Sequence, residues 1–295
     1  MPEPAGRGGT RGRQPRPADP PRRDGNPALP GVGPRAQGGP LPSLALKARI
    51  TKRRGPWSLS SRRVSDPDLD NLVGDARRVL VTDFDGTFSR RDFLHVIRAM
   101  TPPDWPDPFD DFLRGRVSHF EAISRCYSAA RSPRERWERA ALETDPHPDC
   151  AAAIDRLRAS GWAVVIVSAG CRWYIDRILQ ARGIRVPVIA NEGEVDVDGV
   201  LRMRLDPQSP FHCPWTGVDK ARVVGLLLEQ GRTVAFAGDG RPDLAAALAV
   251  PPHLRFARNW LAEELARRGE PFILLERWPD VAPRLIGATH DAGPE

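Results

Sequence analysis

The residues best suited to chemistry lie at the ends of short apolar runs. Asp83 and Asp85 follow the apolar residues of "VLVTDFDGT", Ser168 ends "WAVVIVS", and Asp239 ends "TVAFAGD". Two carboxylates beside a core repel each other and resist desolvation, so a cation or a proton must offset them. Magnesium prefers hard oxygen ligands and keeps waters and a substrate phosphate in its shell. The sequence therefore predicts an Mg²⁺ site at Asp83 and Asp239.

Other polar residues are suited to hold an anion. Backbone N–H groups at a helix start bind anions, and we predict that a helix begins at about Gly170–Cys171, just after Ser168. Lys220 lies at the start of another predicted helix, where a cation is disfavoured without a specific anionic partner. Asp243, in the first turn of a later helix, is placed to hold Lys220; the alternative is that it only complements the helix dipole.

Strands and helices alternate along the body of the chain, which predicts an α/β fold with a parallel sheet covered by helices on both faces. The predicted strands are "RVLVTD", "WAVVIVS", "VPVIA", "TVAFAGD", "LRFA" and "PFILLE". "GEVDVDGVLRMR" alternates around Asp198-Gly199 and predicts a β-hairpin. "NWLAEELARRG" predicts a helix with Asn259 as a candidate N-cap. Ligands of such sheets bind beyond the carboxyl ends of the strands, where Asp83, Ser168 and Asp239 are expected.

A helical insert separates the first strand from the second. Its helical runs are "RDFLHVIRAM", "FDDFLRGRVSHFEAISRCYSAA" and "PRERWERAALE", and "TPPDWPDP" breaks the first from the second. We therefore predict a core formed by residues 75–92 and 146–288, a helical insert at residues 93–145, and a short tail at residues 289–295.

The N-terminal part of the chain differs from the body. Residues 1–70 hold 14 Lys and Arg against 6 Asp and Glu, a balance of +8, while the remainder holds 30 against 32, a balance of −2. Residues 1–74 are rich in Pro, Gly and Arg without periodicity, and we predict a disordered leader. Such a basic leader is also compatible with binding to nucleic acid or acidic lipid, but we interpret it as a solvated segment.

Compartment and partners are predicted from what the chain contains. It has no apolar run long enough for a membrane span and no apolar stretch of signal-peptide type. Its four cysteines form no C-x-x-C pair. We predict free thiols in a reducing cytoplasm; the oligomeric state stays open.

Four motifs, "DFDGT", "VSAG", Lys220 and "GDGRPD", occur in an order and at approximate spacings that resemble the haloacid dehalogenase-like phosphohydrolases. The resemblance covers about residues 77–285, the presumed folded body. It implies a Rossmann-like core with a small helical cap of the C1 type inserted after the first strand. The activity that it implies is Mg²⁺-dependent hydrolysis of a small phosphorylated metabolite.

The resemblance also implies roles for individual residues. Asp83 would be the nucleophile that forms an aspartyl-phosphate, and Asp85 the general acid/base. Ser168 and Lys220 would contact phosphoryl oxygens and act in catalysis. The implied metal ligands are Asp83, Asp85 through its carbonyl, Asp239 and Asp243. The implied substrate contacts are Thr87, Ser168, Gly170 and Lys220.

Within the family, the insert resembles that of the phosphoserine-phosphatase-like branch. "ANEG", "CPWTGVDKARVV" and "LRFARNWLAEEL" are closer to the phosphatases of methionine salvage, which act on a methylthio-keto-pentenyl phosphate; that branch has members with other substrates. Residues that would grip the amino and carboxyl groups of phosphoserine are not evident. Arg114, Arg116 and Asp92 are candidates, with exposed helix charges as the alternative reading of the arginines. Trp173, Tyr174 and Trp215 are candidates for an apolar leaving-group pocket or for ordinary packing.

Two other functions remain compatible with these motifs. One is a phosphotransferase that passes the phosphoryl group to an alcohol instead of water. The other is a non-catalytic binding protein that keeps the fold.

Overall fold

A computed structural model of the protein describes residues 67–287. The predicted tail at residues 289–295 and residues 1–66 of the predicted leader lie outside this part of the chain. The helices are α1 (Pro67–Val73), α2 (Phe93–Arg98), α3 (Phe109–Leu113), α4 (His119–Ala129), α5 (Arg134–Thr144), α6 (Cys150–Ala159), α7 (Arg172–Ala181), α8 (Lys220–Glu229), α9 (Leu244–Ala249), α10 (Asn259–Arg268) and α11 (Val281–Gly287). The strands are β1 (Arg78–Thr82), β2 (Trp162–Cys171), β3 (Val188–Val195), β4 (Leu201–Arg204), β5 (His212–Cys213), β6 (Gly217–Val218), β7 (Thr233–Gly238), β8 (Arg255–Ala257) and β9 (Ile273–Leu274).

The main sheet has the strand order β4-β3-β2-β1-β7-β8-β9, with β1 at its centre. β1 pairs in parallel with β2 and with β7, and the parallel pairing continues through β3 on one side and through β8 and β9 on the other. Only the pairing of β3 with β4 is antiparallel among the main-sheet pairs of the described residues. The predicted α/β fold with a largely parallel sheet is confirmed, and so is the hairpin around Asp198-Gly199.

Apolar side chains cover both faces of the sheet. On β1, Leu80 belongs to one buried cluster, with residues of α6, α7 and the helical insert, whereas Val79 and Val81 belong to the other, with residues of α8, α9 and α10. Successive side chains of a strand point to opposite faces, so a strand covered on both sides is apolar throughout. This burial explains why the run before Asp83 contains no polar residue until Thr82.

Helix α1 extends the folded body towards the N-terminus. It lies within the predicted leader, yet Leu69 is fully buried and Val73 nearly so, and both pack in the cluster with β1 and α8. Arg232 also binds the segment, donating to the carbonyls of Gly74 and Ala76. The prediction that residues 67–74 are disordered is therefore wrong. Two apolar side chains one helical turn apart, Leu69 and Val73, pack into the buried cluster and stabilise the helix.

The insert after the first strand is helical, as predicted, and contains α2 to α5. The second predicted helix is wrong in one respect, since it is divided into α3 and α4. Gly115 has φ +71°, which ends the helical path, and the Ser118 side chain caps α4 by accepting from the backbone N–H of Glu121 at 3.0 Å. That residues 93–145 form a cap domain stays a prediction.

The insert is tied to the sheet through the β3–β4 turn. The carbonyl of Gly199 accepts from the backbone N–H of Ser132 at 2.8 Å and from the Trp137 indole at 3.1 Å. A Cβ at position 199 would lie 2.5 Å from the Ser132 carbonyl oxygen, so only glycine allows this approach. The hairpin therefore supports the loop between α4 and α5.

None of the helices in residues 67–287 has the length and apolarity needed to cross a membrane. The cysteines, Cys126, Cys150, Cys171 and Cys213, are free, as predicted.

Candidate active site

Three carboxylates converge at the carboxyl ends of β1 and β7. Asp83 follows β1, Asp239 follows β7, and Asp243 ends the short 3₁₀ turn Arg241–Asp243. One carboxylate oxygen from each of the three lies within 4.8 Å of those of the other two. Parallel pairing of the two strands, with Thr82 opposite Ala237, brings these side chains together from distant parts of the sequence.

Lys220 joins two of these carboxylates. It is the first residue of α8 and is almost completely buried, and its Nζ donates to Oδ1 of Asp83 at 2.5 Å and to Oδ1 of Asp243 at 2.6 Å. Burial disfavours the charged ammonium, but Asp243 and Asp83 together raise the pKa of Lys220 above its ordinary value. The sequence-based expectation that a specific anion accompanies this lysine, and that Asp243 holds it, agrees with this geometry.

The cluster carries more negative than positive charge. Burial raises the pKa of Asp83 well above its ordinary value, in spite of Lys220, and burial together with repulsion from Asp243 raises the pKa of Asp239 to about 7. Two buried carboxylates and the half-buried Asp239 face a single ammonium, so the site is short of positive charge. A hard divalent cation would offset this charge, and a set of carboxylate oxygens is the donor set that Mg²⁺ prefers. The residues present therefore fit a divalent metal.

Both oxygens of Asp243 already have partners. Oδ1 accepts from Lys220, and Oδ2 accepts from the backbone N–H groups of Asp239 at 3.0 Å and Gly240 at 2.8 Å. These contacts fix the turn that carries Asp239. They favour an orienting role for Asp243 over the direct metal ligation that the family resemblance implies.

Two glycines allow the close approach of the loops at the site. Gly86 has φ +70°, and a Cβ at this position would lie 2.5 Å from Oδ2 of Asp239. A Cβ on Gly238 would lie 2.7 Å from Cγ of Asp243. Gly86 thus lets the turn after β1 approach the turn after β7, and Gly238 lets the turn after β7 fold back on the end of its own strand.

Asp85 occupies a different environment from Asp83. Its Oδ1 accepts from the backbone N–H of Phe93, the first residue of α2, at 3.1 Å, and its Oδ2 accepts from the Tyr174 hydroxyl. Burial is the main cause that raises the pKa of Asp85 well above its ordinary value, followed by repulsion from Asp92 and Asp83. Neutral donors hold the carboxyl in place, while burial and the neighbouring carboxylates favour its protonated form.

Ser168 lies in β2, which pairs with β1 on the edge away from β7. Its Oγ accepts from the backbone N–H of Gly170 at 2.9 Å. The prediction that a helix begins at Gly170–Cys171 is wrong, because β2 continues to Cys171 and pairs there with Asn191 of β3. The segment from Ser168 to Cys171 is therefore extended backbone that borders the site, and α7 begins only at Arg172.

Asn191 holds two backbone segments beside the site, a role that the sequence did not reveal. Its Nδ2 donates to the carbonyl of Ala169 at 2.8 Å and to the carbonyl of Thr216 at 3.0 Å. The first contact fixes the segment after Ser168, and the second fixes the turn that leads into Lys220. Asn191 belongs to the quoted motif "ANEG", which was the available signal.

The side chain of Thr87 has no partner among the described residues, whereas that of Asn259 contacts the acidic cluster. Thr87 is completely buried, and its Oγ1 has no hydrogen-bond partner among the described residues. The prediction that Asn259 caps α10 is wrong, because Arg258 precedes the helix as its N-cap. Asn259 adopts φ +47°, and its Nδ2 donates to Oδ2 of Asp239 at 2.9 Å. Asn259 thus fixes an acidic residue of the site.

A cavity of about 110 Å³ joins these groups. Its core side is formed by residues from the strand ends and by Lys220, and its other side by residues of the insert and Tyr174. The residues that line it on the core side are Asp83, Asp85, Ser168, Ala169, Gly170, Lys220, Asp239, Gly240, Pro242 and Asp243. The other side is formed by Asp92, which immediately precedes the insert, and by Leu94, Phe109, His119, Ile123 and Tyr127 of the insert.

Several sequence candidates lie elsewhere. Arg114 and Arg116 are exposed surface charges, and Arg116 pairs with Asp111, but both lie in the loop between α3 and α4 rather than on a helix. Trp173 packs under the guanidinium of Arg177, and Trp215 is 45% exposed, and neither lines the cavity.

Two other candidates, Asp92 and Tyr174, do line the cavity. Asp92 also caps α2 by accepting from the backbone N–H of Leu94 at 2.7 Å. The hydroxyl of Tyr174, rather than an apolar edge, is what faces Asp85.

Solved structures share this fold at low sequence identity. A haloacid dehalogenase family hydrolase from Salmonella enterica subsp. enterica serovar Typhi is 16% identical, with 68% of each chain covered and a TM-score of 0.50. A substrate-bound phosphoserine phosphatase complex is 17% identical over 72% of this chain and 98% of that chain, with a TM-score of 0.50. A probable phosphoserine phosphatase from Vibrio cholerae is 14% identical over 76% and 71%, also with a TM-score of 0.50. These likenesses show the fold.

No curated protein matches the chain in sequence. The family model described as haloacid dehalogenase-like hydrolase matches residues 80–248, more than half of the chain, from the middle of β1 to α9. The matched region contains the strand-end carboxylates, Ser168 and Lys220. The chain belongs to the haloacid dehalogenase-like hydrolase family.

Proposed function

We propose that the protein is a Mg²⁺-dependent phosphomonoesterase that acts on a small phosphorylated metabolite in the cytoplasm through an aspartyl-phosphate intermediate. One observation carries the proposal. Asp83 and Asp85 border the same cavity, but Asp83 is bound to the ammonium of Lys220 and Asp85 to neutral donors. Two carboxyl groups in such different environments are suited to the separate tasks of nucleophile and acid.

The first half of the reaction uses both carboxyl groups. The carboxylate of Asp83 attacks phosphorus, and the bond from phosphorus to the alcohol oxygen breaks. Asp85, whose raised pKa favours the protonated form, gives its proton to the departing oxygen. The products of this half are the free alcohol and a phosphorylated Asp83.

The second half returns both groups to their starting state. Asp85, now ionised, takes a proton from a water molecule, and the resulting hydroxide attacks the phosphorus of the aspartyl-phosphate. Asp83 leaves as a carboxylate and inorganic phosphate is released. Tyr174 and the Phe93 N–H keep Asp85 in one place for both proton transfers.

Lys220 and Ser168 border the position that the phosphoryl group would occupy. Lys220 neutralises negative charge on the phosphoryl oxygens, and the Ser168 hydroxyl offers a hydrogen bond. Asp83 and Asp239, with the carbonyl of Asp85, are the proposed ligands of Mg²⁺, which supplies charge stabilisation to phosphoryl oxygens when bound. The backbone of Gly170 remains a proposed substrate contact, whereas Thr87 is fully buried and does not line the cavity.

The helical cap separates the reaction from solvent. Phe109, His119 and Ile123 of the cap line the cavity together with the acidic cluster. A cavity of about 110 Å³ is far below the ~300–1,000 Å³ typical of drug-sized ligands, which favours a small substrate. Movement of the cap would admit the ester and release the alcohol. A methionine-salvage substrate remains a prediction of the sequence resemblance.

Replacement of the nucleophile tests the proposal. Asp83→Asn is expected to lower turnover of p-nitrophenyl phosphate with Mg²⁺ by at least about 10³-fold, because the amide cannot attack phosphorus. Lys220 keeps its bond to Asp243, so circular dichroism should show a folded variant. The matched control is Asp155→Asn, whose side chain is 77% exposed on α6 and should leave the rate unchanged. Full activity of Asp83→Asn would refute the nucleophile assignment, and undiminished turnover of the unaltered protein in EDTA would refute the metal requirement.

A further inference from the structure

The cap side of the cavity combines acidic, apolar and imidazole groups. Asp92 contributes a carboxylate, Leu94 and Ile123 contribute aliphatic surface, Tyr127 contributes a phenol ring, and His119 an imidazole. Together with Asp85, two carboxyl groups border the end of the cavity where a departing alcohol would lie. An anionic substituent of that alcohol would meet carboxyl groups and apolar surface.

Within residues 67–287, the cavity lining offers no free cation to an anionic substituent. Among the cavity-lining residues of the described chain, Lys220 is the only Lys or Arg, and its ammonium is shared by Asp83 and Asp243. Arginines of the cap pair at the surface instead, Arg98 with Asp107 and Arg116 with Asp111. Burial of an unpaired carboxylate at this position would carry a large desolvation cost.

His119 is a polar group in the lining on this side. Its ring packs against the rings of Phe109 and Phe112, with centroids 5.9 and 5.3 Å away, which fixes the imidazole in the wall of the cavity. Its Nδ1 is buried and has no hydrogen-bond partner among the described residues. Burial, reinforced by the charge of Lys220, lowers the pKa of His119 to about 4, so the ring is neutral at pH 7. A neutral imidazole offers a hydrogen bond without attracting an anion.

We propose that the leaving-group end of this cavity selects alcohols that carry no anionic substituent, and that His119 is the specificity-determining residue that hydrogen-bonds their hydroxyl or amino group. The inference rests on the proposed phosphomonoesterase function and narrows its substrate class. It separates this protein from enzymes that bind the carboxylate of their substrate, although the fold is shared.

Two pairs of phosphate esters test the charge selection in the full chain with Mg²⁺. Phosphoethanolamine and phosphoserine differ by a carboxylate, and glycerol 3-phosphate and 3-phosphoglycerate differ by a hydroxymethyl in place of a carboxylate. In each pair we expect kcat/KM to be at least about 100-fold higher for the ester without the carboxylate. Equal or higher kcat/KM for the carboxylated esters would overturn the proposal. Failure to hydrolyse any ester, including p-nitrophenyl phosphate, would instead show that the proposed function itself is wrong.

Substitution of His119 tests its role. His119→Leu should lower kcat/KM for glycerol 3-phosphate by about 10-fold, through the lost hydrogen bond, and leave p-nitrophenyl phosphate within about 2-fold. His119→Asn keeps a polar group and should recover part of the loss. The control is His253→Leu. His253 is exposed and lies outside the helical insert, so its replacement should change neither rate. An equal loss on both substrates would indicate a merely structural role, and no loss on either would exclude the contact; both outcomes overturn the assignment of His119.

Discussion

The hydroxyl of Tyr174 donates a hydrogen bond to Oδ2 of Asp85, and this contact joins the first turn of α7 to the turn after β1. The other oxygen of Asp85 accepts from Phe93 at the start of the helical insert. The carboxyl group is therefore held from the core on one side and from the insert on the other. Tyr174 is fully buried and stacks on the ring of Phe93, with centroids 4.0 Å apart, so the donor itself has little freedom.

Tyr174→Phe is expected to impair proton transfer while preserving the packing. The hydrogen bond from Tyr174 lowers the pKa of Asp85, so its loss should raise that pKa further and move the corresponding limb of the pH–rate profile to higher pH. We expect kcat for an alkyl phosphate to fall about 10-fold, because Asp85 is less well oriented. The fall should be smaller for p-nitrophenyl phosphate, whose leaving group needs little help from an acid.

An exposed hydroxyl of the insert supplies the control for this experiment. Ser128→Ala removes a hydroxyl from α4 that donates to the carbonyl of Ser124 at 3.0 Å, and it should leave the pH profile unchanged. Equal effects of Tyr174→Phe and Ser128→Ala, or an unshifted profile in Tyr174→Phe, would show that the contact does not orient Asp85.

Gly86→Ala should lower turnover strongly, because it disturbs the proposed metal site, and should lower the free energy of unfolding only slightly. The added Cβ would meet Oδ2 of Asp239 at 2.5 Å, so the carboxylate or the turn after β1 must shift. Gly74 provides a matched control, because it also has positive φ, +55°, but nothing lies within 4 Å of its added Cβ. Both variants should lose about 1 kcal/mol from backbone strain, measured by urea unfolding, but only Gly86→Ala should lose turnover, by about 100-fold or more. Similar activities of the two variants would contradict the steric argument.

Local patterns predicted the parts of the site that lie at strand ends. Asp83 and Asp239 follow apolar strands, and Lys220 begins an amphipathic helix, so their convergence required only a parallel sheet with the strands that carry them side by side. The observed order, with β1 between β2 and β7, meets that requirement. The sequence could not show that both oxygens of Asp243 are engaged, since this depends on the turn geometry around Gly240.

Features that depend on packing between distant segments were not predicted. The contact of Tyr174 with Asp85 and the position of His119 require the insert to lie over the sheet, which no local periodicity encodes. The positive φ of Asn259, which aims its amide at Asp239, replaced the expected helix cap for a similar reason. Helix α1 was missed because the surrounding composition suggested disorder, although Leu69 carries the apolar contact that folds it.

Protonation of the acidic cluster couples stability to pH in the absence of metal. The folded-state pKa of Asp239 is raised to about 7, by burial and then by Asp243, whereas an unfolded chain has an ordinary aspartate pKa of about 4. Between these values the folded state keeps a proton that the unfolded state has released. Stability is therefore present at low pH and is lost as the pH rises through this window. Asp83, whose pKa is also raised, contributes with the same sign.

The melting temperature of the protein in EDTA is thus expected to fall between about pH 5 and pH 8, because ionisation of the buried carboxylates leaves their repulsion uncompensated. Mg²⁺ should raise the melting temperature most at pH 8, and a concentration of about 100 times Kd would add about 2.7 kcal/mol. Asp239→Asn should flatten the pH dependence in EDTA and abolish the Mg²⁺ effect, whereas the exposed Asp155→Asn should change neither. Differential scanning calorimetry would measure all three proteins, and a metal-free melting temperature that rises from pH 5 to pH 8 would contradict the charge balance described for the site.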